Sequence, residues 1–180
     1  MLEIELKIKV KDLPLIRERL LLSHATLLNK KHERDVYYNA PHRDFGITDE
    51  ALRIRFADDC TVLTYKGPKI KEYSMKAREE LNSGVESGET CEGILQRLGF
   101  TRVAEVNKLR ENFRYRGATI SLDEVESLGS YIEIEAIESD EIDNPPELIE
   151  KIEKELGIEG EPTLSSYLEM VLSKRKEAQS

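Results

Sequence analysis

The segment Leu2-Glu3-Ile4-Glu5-Leu6-Lys7-Ile8-Lys9-Val10 alternates apolar and charged residues without a break. Side chains at i and i+2 of a β-strand point to the same side, so this segment predicts a strand with one apolar and one charged face. Glu3, Glu5 and Lys7 share the charged face. Which of the two faces is turned inward decides what kind of fold the strand belongs to.

The same pattern recurs on four other segments. Each carries charged or polar residues two apart on one side and apolar residues on the other; they are Arg53 and Arg55, Lys76, Arg78 and Glu80, Lys108, Arg110, Asn112 and Arg114, and Glu133 and Glu135. On a single strand this pattern is typical of a half-buried sheet with a solvated outer face. Several such strands in one chain raise the question of whether the charged faces meet.

Sequence signals for helices lie between the predicted strands. Asp12 followed by Pro14 predicts a helix start, Pro145 and Pro146 predict another, and residues 165–174 predict a final helix. Residues 42–49 are expected to form a loop before a hairpin of residues 51–57 and 61–66. In total we expect about eight strands and four helices in a single α+β domain covering residues 1–180.

The predicted helices indicate which face of each strand points inward. If the apolar faces packed inside a barrel, the amphipathic helices would have no apolar sheet surface to cover. If the helices cover the outside, the charged faces converge inside a closed antiparallel β-barrel of about eight strands, wide enough for a small ligand. We therefore expect a charged tunnel.

Composition excludes several classes of protein. The chain has 180 residues with 27 Lys and Arg against 36 Asp and Glu, a formal charge of −9. We expect no nucleic-acid partner from this acidic balance, and no membrane partner because no apolar run approaches the roughly 18 residues that span a bilayer. With no signal-peptide core at the N-terminus, a cytoplasmic protein is expected. Cys60 and Cys91 lie in no zinc-binding pattern and are expected to be reduced thiols.

The expected tunnel is rich in cations. Nine would reach its interior, namely Lys7, Arg53, Arg55, Lys66, Lys76, Arg78, Lys108, Arg110 and Arg114. Such a cavity suits a polyanion such as a triphosphate, to which Arg gives bidentate contacts and Lys gives point charges. Lys69, Lys71 and Lys76 follow the break at Gly67-Pro68, where they would either close over a nucleotide or be solvated, and solvation is the expectation.

The carboxylates of two strands suit a hard cation. Glu3 and Glu5 lie one pleat apart, Glu133 and Glu135 repeat the arrangement, and Asp123 is close in sequence. Mg²⁺ or Mn²⁺ takes oxygen ligands from carboxylates and substrate phosphates. We expect one of these metals as cofactor.

At this point the chain resembles a known family. Glu3-Ile4-Glu5-Leu6-Lys7 is similar to the ExExK signature of the CYTH superfamily, the triphosphate tunnel metalloenzymes. The resemblance extends through further motifs, which are His32 to Tyr38, Leu52-Arg53-Ile54-Arg55, Thr64 to Pro68, Lys76 to Glu80, Lys108-Leu109-Arg110, Leu122 to Val125, Leu128 to Glu135 and Ser165 to Leu168. It therefore spans nearly the whole chain.

The resemblance implies roles for the charged residues. Glu3, Glu5, Glu133 and Glu135 would hold the metal, and Lys7, Arg53, Arg55, Lys66, Arg78, Lys108 and Arg110 would bind the triphosphate. Glu5, Asp123 and Lys66 would take part in catalysis, with Asp123 contributing to the metal site or orienting a water. Tyr37 and Tyr131 are interpreted as packing residues, and neither His32 nor Glu33 receives a role.

Three activities fit this tunnel. The motifs most resemble the class IV adenylyl cyclases, which convert ATP to cyclic AMP and pyrophosphate, and this is the leading prediction. Arg53 with Arg55, and Arg78-Glu79-Glu80, resemble instead the inorganic and thiamine triphosphatases. A polyphosphate-binding module without turnover is the third reading. A nucleoside triphosphate or inorganic triphosphate is thus the expected partner, and resemblance alone implies a homodimer.

Overall fold

A computed structural model describes residues 2–70, 75–137 and 142–178, with the side chains of residues 2 and 3 outside the described part. The strands are β1 Leu2–Lys9, β2 Thr26–Asn39, β3 Ala51–Ala57, β4 Thr61–Lys66, β5 Lys76–Gly84, β6 Thr101–Tyr115, β7 Ala118–Val125, β8 Gly129–Ile137 and β9 Glu161–Thr163. The helices are α1 Leu13–Leu22, α2 Phe45–Thr48, α3 Gly88–Arg97, α4 Pro145–Glu155 and α5 Tyr167–Glu177.

Eight strands form a closed antiparallel barrel in the order β5-β4-β3-β2-β6-β7-β8-β1. The barrel closes where the first half of β1, residues 2–5, pairs with residues 76–79 of β5. The second half of β1, residues 7–9, pairs with β9, which lies outside the barrel. The predicted α+β fold with a closed eight-stranded barrel is therefore confirmed, and β9 is added to it.

The main apolar core lies outside the barrel wall. Ile4 and Ile8 of β1 are buried against α4, where Ile149 and Ile152 are fully buried. A smaller cluster on another part of the wall packs Ile54 of β3 and its neighbours against α3. Because helices cover the apolar faces from outside, the charged faces of the strands point inward, as the pattern predicted.

Helix α5 approaches the interior at one end of the barrel. Its residues Tyr167 and Val171 are buried with Val106 and Tyr131, whose side chains point into the barrel. The helix begins with a capping box in which Ser166 and Glu169 satisfy each other's backbone N–H groups. Apolar side chains of α5 thus border the charged interior at this end of the barrel.

The helix starts follow their sequence signals. Asp12 accepts a hydrogen bond from the Leu15 N–H at 2.9 Å and caps α1. The predicted loop of residues 42–49 is wrong in part, because Asp44 caps the single-turn helix α2 within it.

Among the described residues, no helix is long and apolar enough to cross a membrane.

Candidate active site

The barrel interior encloses a charged cavity. Four carboxylates line it, Glu5, Glu80, Glu133 and Glu135, together with eight cations, Lys7, Arg53, Arg55, Lys66, Lys76, Arg78, Lys108 and Arg110. Among the described residues, the lining therefore carries an excess of four positive charges. Glu33, Asp35 and Asp123 are buried directly behind these cations and reduce the excess to one. Such a cavity favours an anion, and an anion of high charge would need a divalent cation beside it.

Strands β1 and β8 bring the predicted metal ligands together. Their register places Glu5 directly opposite Glu135 and Lys7 directly opposite Glu133. The Lys7 ammonium lies 3.0 Å from a Glu5 oxygen and 3.1 Å from a Glu133 oxygen. Directly opposed like charges destabilise a strand pair, so Glu5 and Glu135 need a cation close by. Lys7 supplies one beside Glu5.

The carboxyl group of Glu5 is held ionised. Burial would raise its pKa, but the charges of Lys7 and Lys76 outweigh burial and lower the pKa to about 2. Lys76, whose ammonium is 3.2 Å from Glu5, has its own pKa lowered to about 8, with burial as the largest cause. Of the two expectations for Lys76, the position in the tunnel is confirmed and solvation is wrong, because its side chain is 7% exposed and lines the cavity. Lys71 lies outside the described residues.

Asp35 of β2 orients three cations. It accepts hydrogen bonds from Arg55 Nε at 2.7 Å, from Arg53 Nη1 at 3.2 Å and from the Lys108 ammonium at 3.0 Å. Burial opposes ionisation, yet these three positive charges hold the pKa of Asp35 well below its usual value. Glu33, one pleat away, contacts Arg55 and Lys108 at 3.1 and 3.0 Å. Neighbouring carboxylates thus fix the cationic side chains in place.

A second carboxylate orients Arg110. Asp123 is fully buried and accepts a hydrogen bond from Arg110 Nε at 2.6 Å and one from the Tyr167 hydroxyl at 2.7 Å. Arg110 also contacts Glu133, which joins this group to the β1–β8 carboxylates. The Lys7 ammonium lies 4.3 Å from the centre of the Tyr167 ring, a cation–π distance. The first residue of α5 is therefore part of the cavity wall.

Among the described residues, Arg78 has fewer acidic partners than the other cavity arginines. Its side chain is 6% exposed, and its acidic neighbour there is Asp49 at 3.9 Å. Within the described part of the chain, its Nε has no hydrogen-bond partner. A buried guanidinium with an open donor indicates a place for an anion supplied from outside the protein.

The sequence placed most of the cavity residues and missed several. Of the predicted residues, Glu5, Glu133 and Glu135 and the seven predicted phosphate-binding cations line the cavity, and Asp123 contacts one of them; whether they act as predicted stays a prediction. The side chain of Glu3 lies outside the described residues, and its backbone pairs with Arg78 and Ile137. Placing Arg114 in the tunnel is wrong. It lies near the end of the long strand β6, is exposed, and donates to the Gly117 carbonyl.

Asp35, Glu33 and Tyr37 share one side of β2, and the period of two was visible in the sequence. Tyr37, interpreted as a packing residue, also lines the cavity. Tyr167 carried no comparable signal, because only the docking of α5 brings it to the cavity.

Among the described side chains, no group of three or more His, Cys, Asp and Glu residues is arranged to hold a metal ion, and the side chain of Glu3 lies outside the described part. Glu5 and Glu135 are opposed oxygen donors, and Glu5 is ionised at neutral pH. Oxygen donors of this type suit Mg²⁺ and Mn²⁺, with substrate phosphates completing the coordination. Glu5 and Glu135 therefore fit part of the coordination of such an ion and do not complete it alone.

Comparison with known proteins identifies the family. The model of the CYTH domain matches residues 1–168. This chain belongs to the CYTH domain family. A CYTH relative from Methanocaldococcus jannaschii, named putative adenylate cyclase MJ0240, is 39% identical over 173 residues, which cover 94% of this chain and 98% of the relative.

Solved structures share the CYTH fold. The PH1819 protein from Pyrococcus horikoshii OT3 is 42% identical, with a TM-score of 0.82, and the match covers 96% of this chain and 99% of that one. A Hippeastrum protein is 22% identical with a TM-score of 0.68, covering 96% and 95% of the two chains. That protein is described as a putative adenylyl cyclase with a dominant triphosphatase activity. At this identity, the second likeness concerns the fold alone.

Proposed function

We propose that this CYTH protein is a metal-dependent enzyme that acts on a triphosphate, and that its activity is that of an adenylyl cyclase. The observation that carries the proposal is the enclosed cavity, in which eight cations surround the opposed carboxylates Glu5 and Glu135. The cations suit the phosphates, and the carboxylates would repel them unless a metal ion lay between. A substrate that brings both phosphates and a divalent metal satisfies both sets of charges.

Different residues of the cavity would bind the phosphates and the metal ion. Arg53, Arg55 and Lys108 are held by Asp35 and would bind phosphate oxygens without having to reorganise. Glu3, Glu5, Glu133 and Glu135 would hold Mg²⁺ or Mn²⁺. When bound, that ion would add positive charge at the phosphates and lower the pKa of the attacking hydroxyl.

Three residues are assigned to catalysis in this proposal. Glu5 would act as a metal ligand, and Lys66, which is paired with Glu80, would place a positive charge at the phosphates. Asp123 would act by keeping Arg110 in position, since both of its oxygens are engaged with Arg110 and Tyr167. In the cyclase reaction, the ribose 3′-oxygen loses its proton and bonds to the α-phosphorus, and the bond to the departing pyrophosphate breaks.

A triphosphatase is the second candidate, and specific residues favour it. Arg53 and Arg55 share one carboxylate, and Arg78 and Glu80 both line the cavity while Glu79 is exposed outside it. Such a dense set of cations suits a substrate that is all phosphate. The Hippeastrum protein illustrates that a chain of this fold named as a cyclase is described as chiefly a triphosphatase. The name of the 39% identical relative supports the cyclase instead.

Product analysis separates these activities. Purified protein with Mg²⁺ or Mn²⁺ is incubated separately with ATP, thiamine triphosphate and tripolyphosphate, and cyclic AMP, pyrophosphate and orthophosphate are measured. Cyclic AMP with an equal amount of pyrophosphate is the expected result. Orthophosphate without cyclic AMP would contradict the adenylyl cyclase activity and support the triphosphatase activity. Binding without any product would leave a polyphosphate-binding module.

Glu5→Gln tests the carboxylate part of the proposal. It keeps the size of the side chain but removes the charge that Lys7 and Lys76 share, so we expect turnover to fall by about 100-fold or more. We also expect a loss of stability, with the fold retained. Glu79→Gln is the matched control, because Glu79 is exposed on the outer face of β5. Initial rates and circular dichroism spectra of both variants provide the check. An undiminished rate in Glu5→Gln would remove the metal-binding role of this carboxylate.

A further inference from the structure

Tyr167 is the first residue of α5 and lies buried in the wall of the charged cavity. It is 5% exposed, and its hydroxyl donates a hydrogen bond to Asp123 at 2.7 Å. Burial raises the pKa of Tyr167 well above 10, so the hydroxyl keeps its proton and remains a donor. The ring makes a T-shaped contact with Tyr131, with the ring centres 5.3 Å apart. The side chain is therefore fixed both at its hydroxyl and at its ring.

The hydroxyl of Tyr167 acts on Arg110 through a shared carboxylate. Asp123 Oδ2 accepts hydrogen bonds from the Tyr167 hydroxyl and from Arg110 Nη2, and Asp123 Oδ1 accepts one from Arg110 Nε at 2.6 Å. The three donors together determine the plane of this fully buried carboxylate. Because the planar guanidinium binds both oxygens, its orientation in the cavity depends on Tyr167 as well.

The ring of Tyr167 and the turn before it contact Lys7. The Lys7 ammonium lies 4.3 Å from the centre of the Tyr167 ring and donates to the Ser165 carbonyl at 3.4 Å. The same ammonium contacts Glu5 and Glu133 of the barrel wall. A lysine side chain is flexible, so its ammonium is well placed only where several groups enclose it. The start of α5 supplies two of these groups for Lys7.

The start of α5 is itself anchored. Ser166 caps the helix, and Glu169 completes the capping box. Glu169 and Asp49 share the ammonium of Lys69, at 2.6 and 3.2 Å. The expectation that Lys69 is solvated is therefore wrong, because its side chain is 25% exposed and paired with two carboxylates. These contacts fix the backbone from which the Tyr167 side chain reaches the cavity.

We propose that Tyr167 is a positioning residue of the phosphate site, whose hydroxyl fixes Arg110 through Asp123 and whose ring fixes Lys7. This inference rests on the proposed function, in which Arg110 and Lys7 bind the phosphates, and it applies to a cyclase and a triphosphatase alike. Cations that are held in place before the substrate arrives need not reorganise when it binds. Loss of the Tyr167 hydroxyl should therefore weaken phosphate binding, and should do so through Arg110.

Tyr167→Phe tests the hydroxyl, because it keeps the ring beside Lys7 and removes the donor to Asp123. The probe is a tripolyphosphate analogue with methylene bridges, which the protein cannot hydrolyse, titrated calorimetrically in the presence of Mn²⁺. We expect Tyr167→Phe to weaken its binding about 10-fold. Arg110→Lys keeps the charge but loses the forked contact with Asp123, so in that background the same change should cost less than about twofold.

Tyr167→Leu tests the ring, because it removes the face near Lys7 together with the hydroxyl. Binding should weaken at least about threefold further than in Tyr167→Phe, and equal losses would overturn the role of the ring. Tyr115→Phe is the matched control. The Tyr115 hydroxyl donates to Glu155, and the ring packs on the core outside the barrel wall, so this change should leave binding unaltered.

If Arg110→Lys does not fold, Asp123→Asn provides the second background, because Asp123 connects Tyr167 to Arg110. The same loss of affinity from Tyr167→Phe in both backgrounds would overturn the positioning role, since a hydroxyl that only stabilises the fold would not act through Arg110. No loss in the otherwise unchanged chain would overturn it as well. If the wild-type protein does not bind the analogue at all, the proposed function is wrong, and the inference that rests on it is wrong too.

Discussion

At the scale of single residues, the site depends on carboxylates that never need to touch the substrate. Asp35, Glu33 and Asp123 are nearly or fully buried, and each contacts one or more cations of the cavity. Burying an unpaired cation costs roughly several kcal/mol. Because these carboxylates pair with the cations, the cations can remain inside the barrel. The pKa of Lys108 is nevertheless lowered, because burial outweighs the attraction of its acidic neighbours. A polyanion placed beside Lys108 would therefore favour the charged form of its ammonium.

Asp35→Asn measures the contribution of the largest of these contact sets. The change leaves Arg53, Arg55 and Lys108 without their shared negative charge, and we expect it to cost about 3–5 kcal/mol of unfolding free energy at pH 7. The folded-state pKa of Asp35 lies well below the usual value of 3.8, so its stabilisation is present above that value and is lost as pH falls through the folded pKa. The difference between wild type and variant should therefore shrink below about pH 4.

Urea unfolding at several pH values between about 2.5 and about 7 provides the measurement. Asp143→Asn is the control, because Asp143 is exposed, and its effect should stay within about 0.5 kcal/mol. A cost for Asp35→Asn that is the same across the whole pH range would show that its charge is not what matters.

Arg78→Ala and Arg55→Ala should separate binding from stability. Arg55 is held by Asp35 and Glu33, so its removal disturbs the fold as well as the site. Within the part of the chain that the structure describes, the one acidic neighbour of Arg78 is Asp49 at 3.9 Å, so its removal should weaken the substrate contact with little loss of stability. We expect KM for ATP to rise about 10-fold or more in both variants. Only Arg55→Ala should also lower the unfolding midpoint clearly, and equal midpoints would contradict this distinction.

At the scale of elements, the strong patterns gave correct strands and the short elements were missed. The alternation of residues 2–10 predicted β1 within one residue, and the residue ranges of β3 and β4 match the predicted hairpin. Helix α2 has four residues and β9 has three, too short for a periodic pattern to develop. Their positions depend on tertiary contacts, such as the pairing of β9 with residues 7–9 of β1.

The contact between β9 and β1 leads to a prediction about Gly160. A Cβ at this position would lie 2.2 Å from the Lys9 carbonyl oxygen, a backbone atom that cannot move aside alone. Gly160→Ala should therefore push β9 off β1 and lower stability by about 1–3 kcal/mol. Because β9 leads into α5, kcat/KM for ATP should fall too.

Gly84→Ala is the matched control for this change. A Cβ at Gly84, the last residue of β5, would meet no atom within 4 Å, and little effect is expected. Thermal unfolding and initial rates of the two variants provide the comparison. Equal stability of the two alanine variants would show that the β1–β9 contact is not tight.

At the scale of the whole molecule, the orientation of the sheet could be predicted from the sequence. The helices needed apolar surfaces outside, and this left the charged faces to converge within. What could not be predicted was which charged groups pair. Glu33 and Asp35 lie behind the cations only because β2 sits between β3 and β6, and Tyr167 reaches Asp123 across 44 residues of chain. Pairings of this kind depend on barrel closure and helix docking, which local patterns do not encode.

Calorimetric titration of tripolyphosphate into the protein, with and without Mn²⁺, tests the central claim most directly. That claim is that the cation-lined cavity and its carboxylates together form one site for a triphosphate and a divalent metal. The predicted result is saturable binding at one site per chain, strengthened by Mn²⁺ and weakened about 10-fold or more by Arg78→Ala. Binding that does not saturate, that ignores Mn²⁺, or that is unchanged in Arg78→Ala would contradict it.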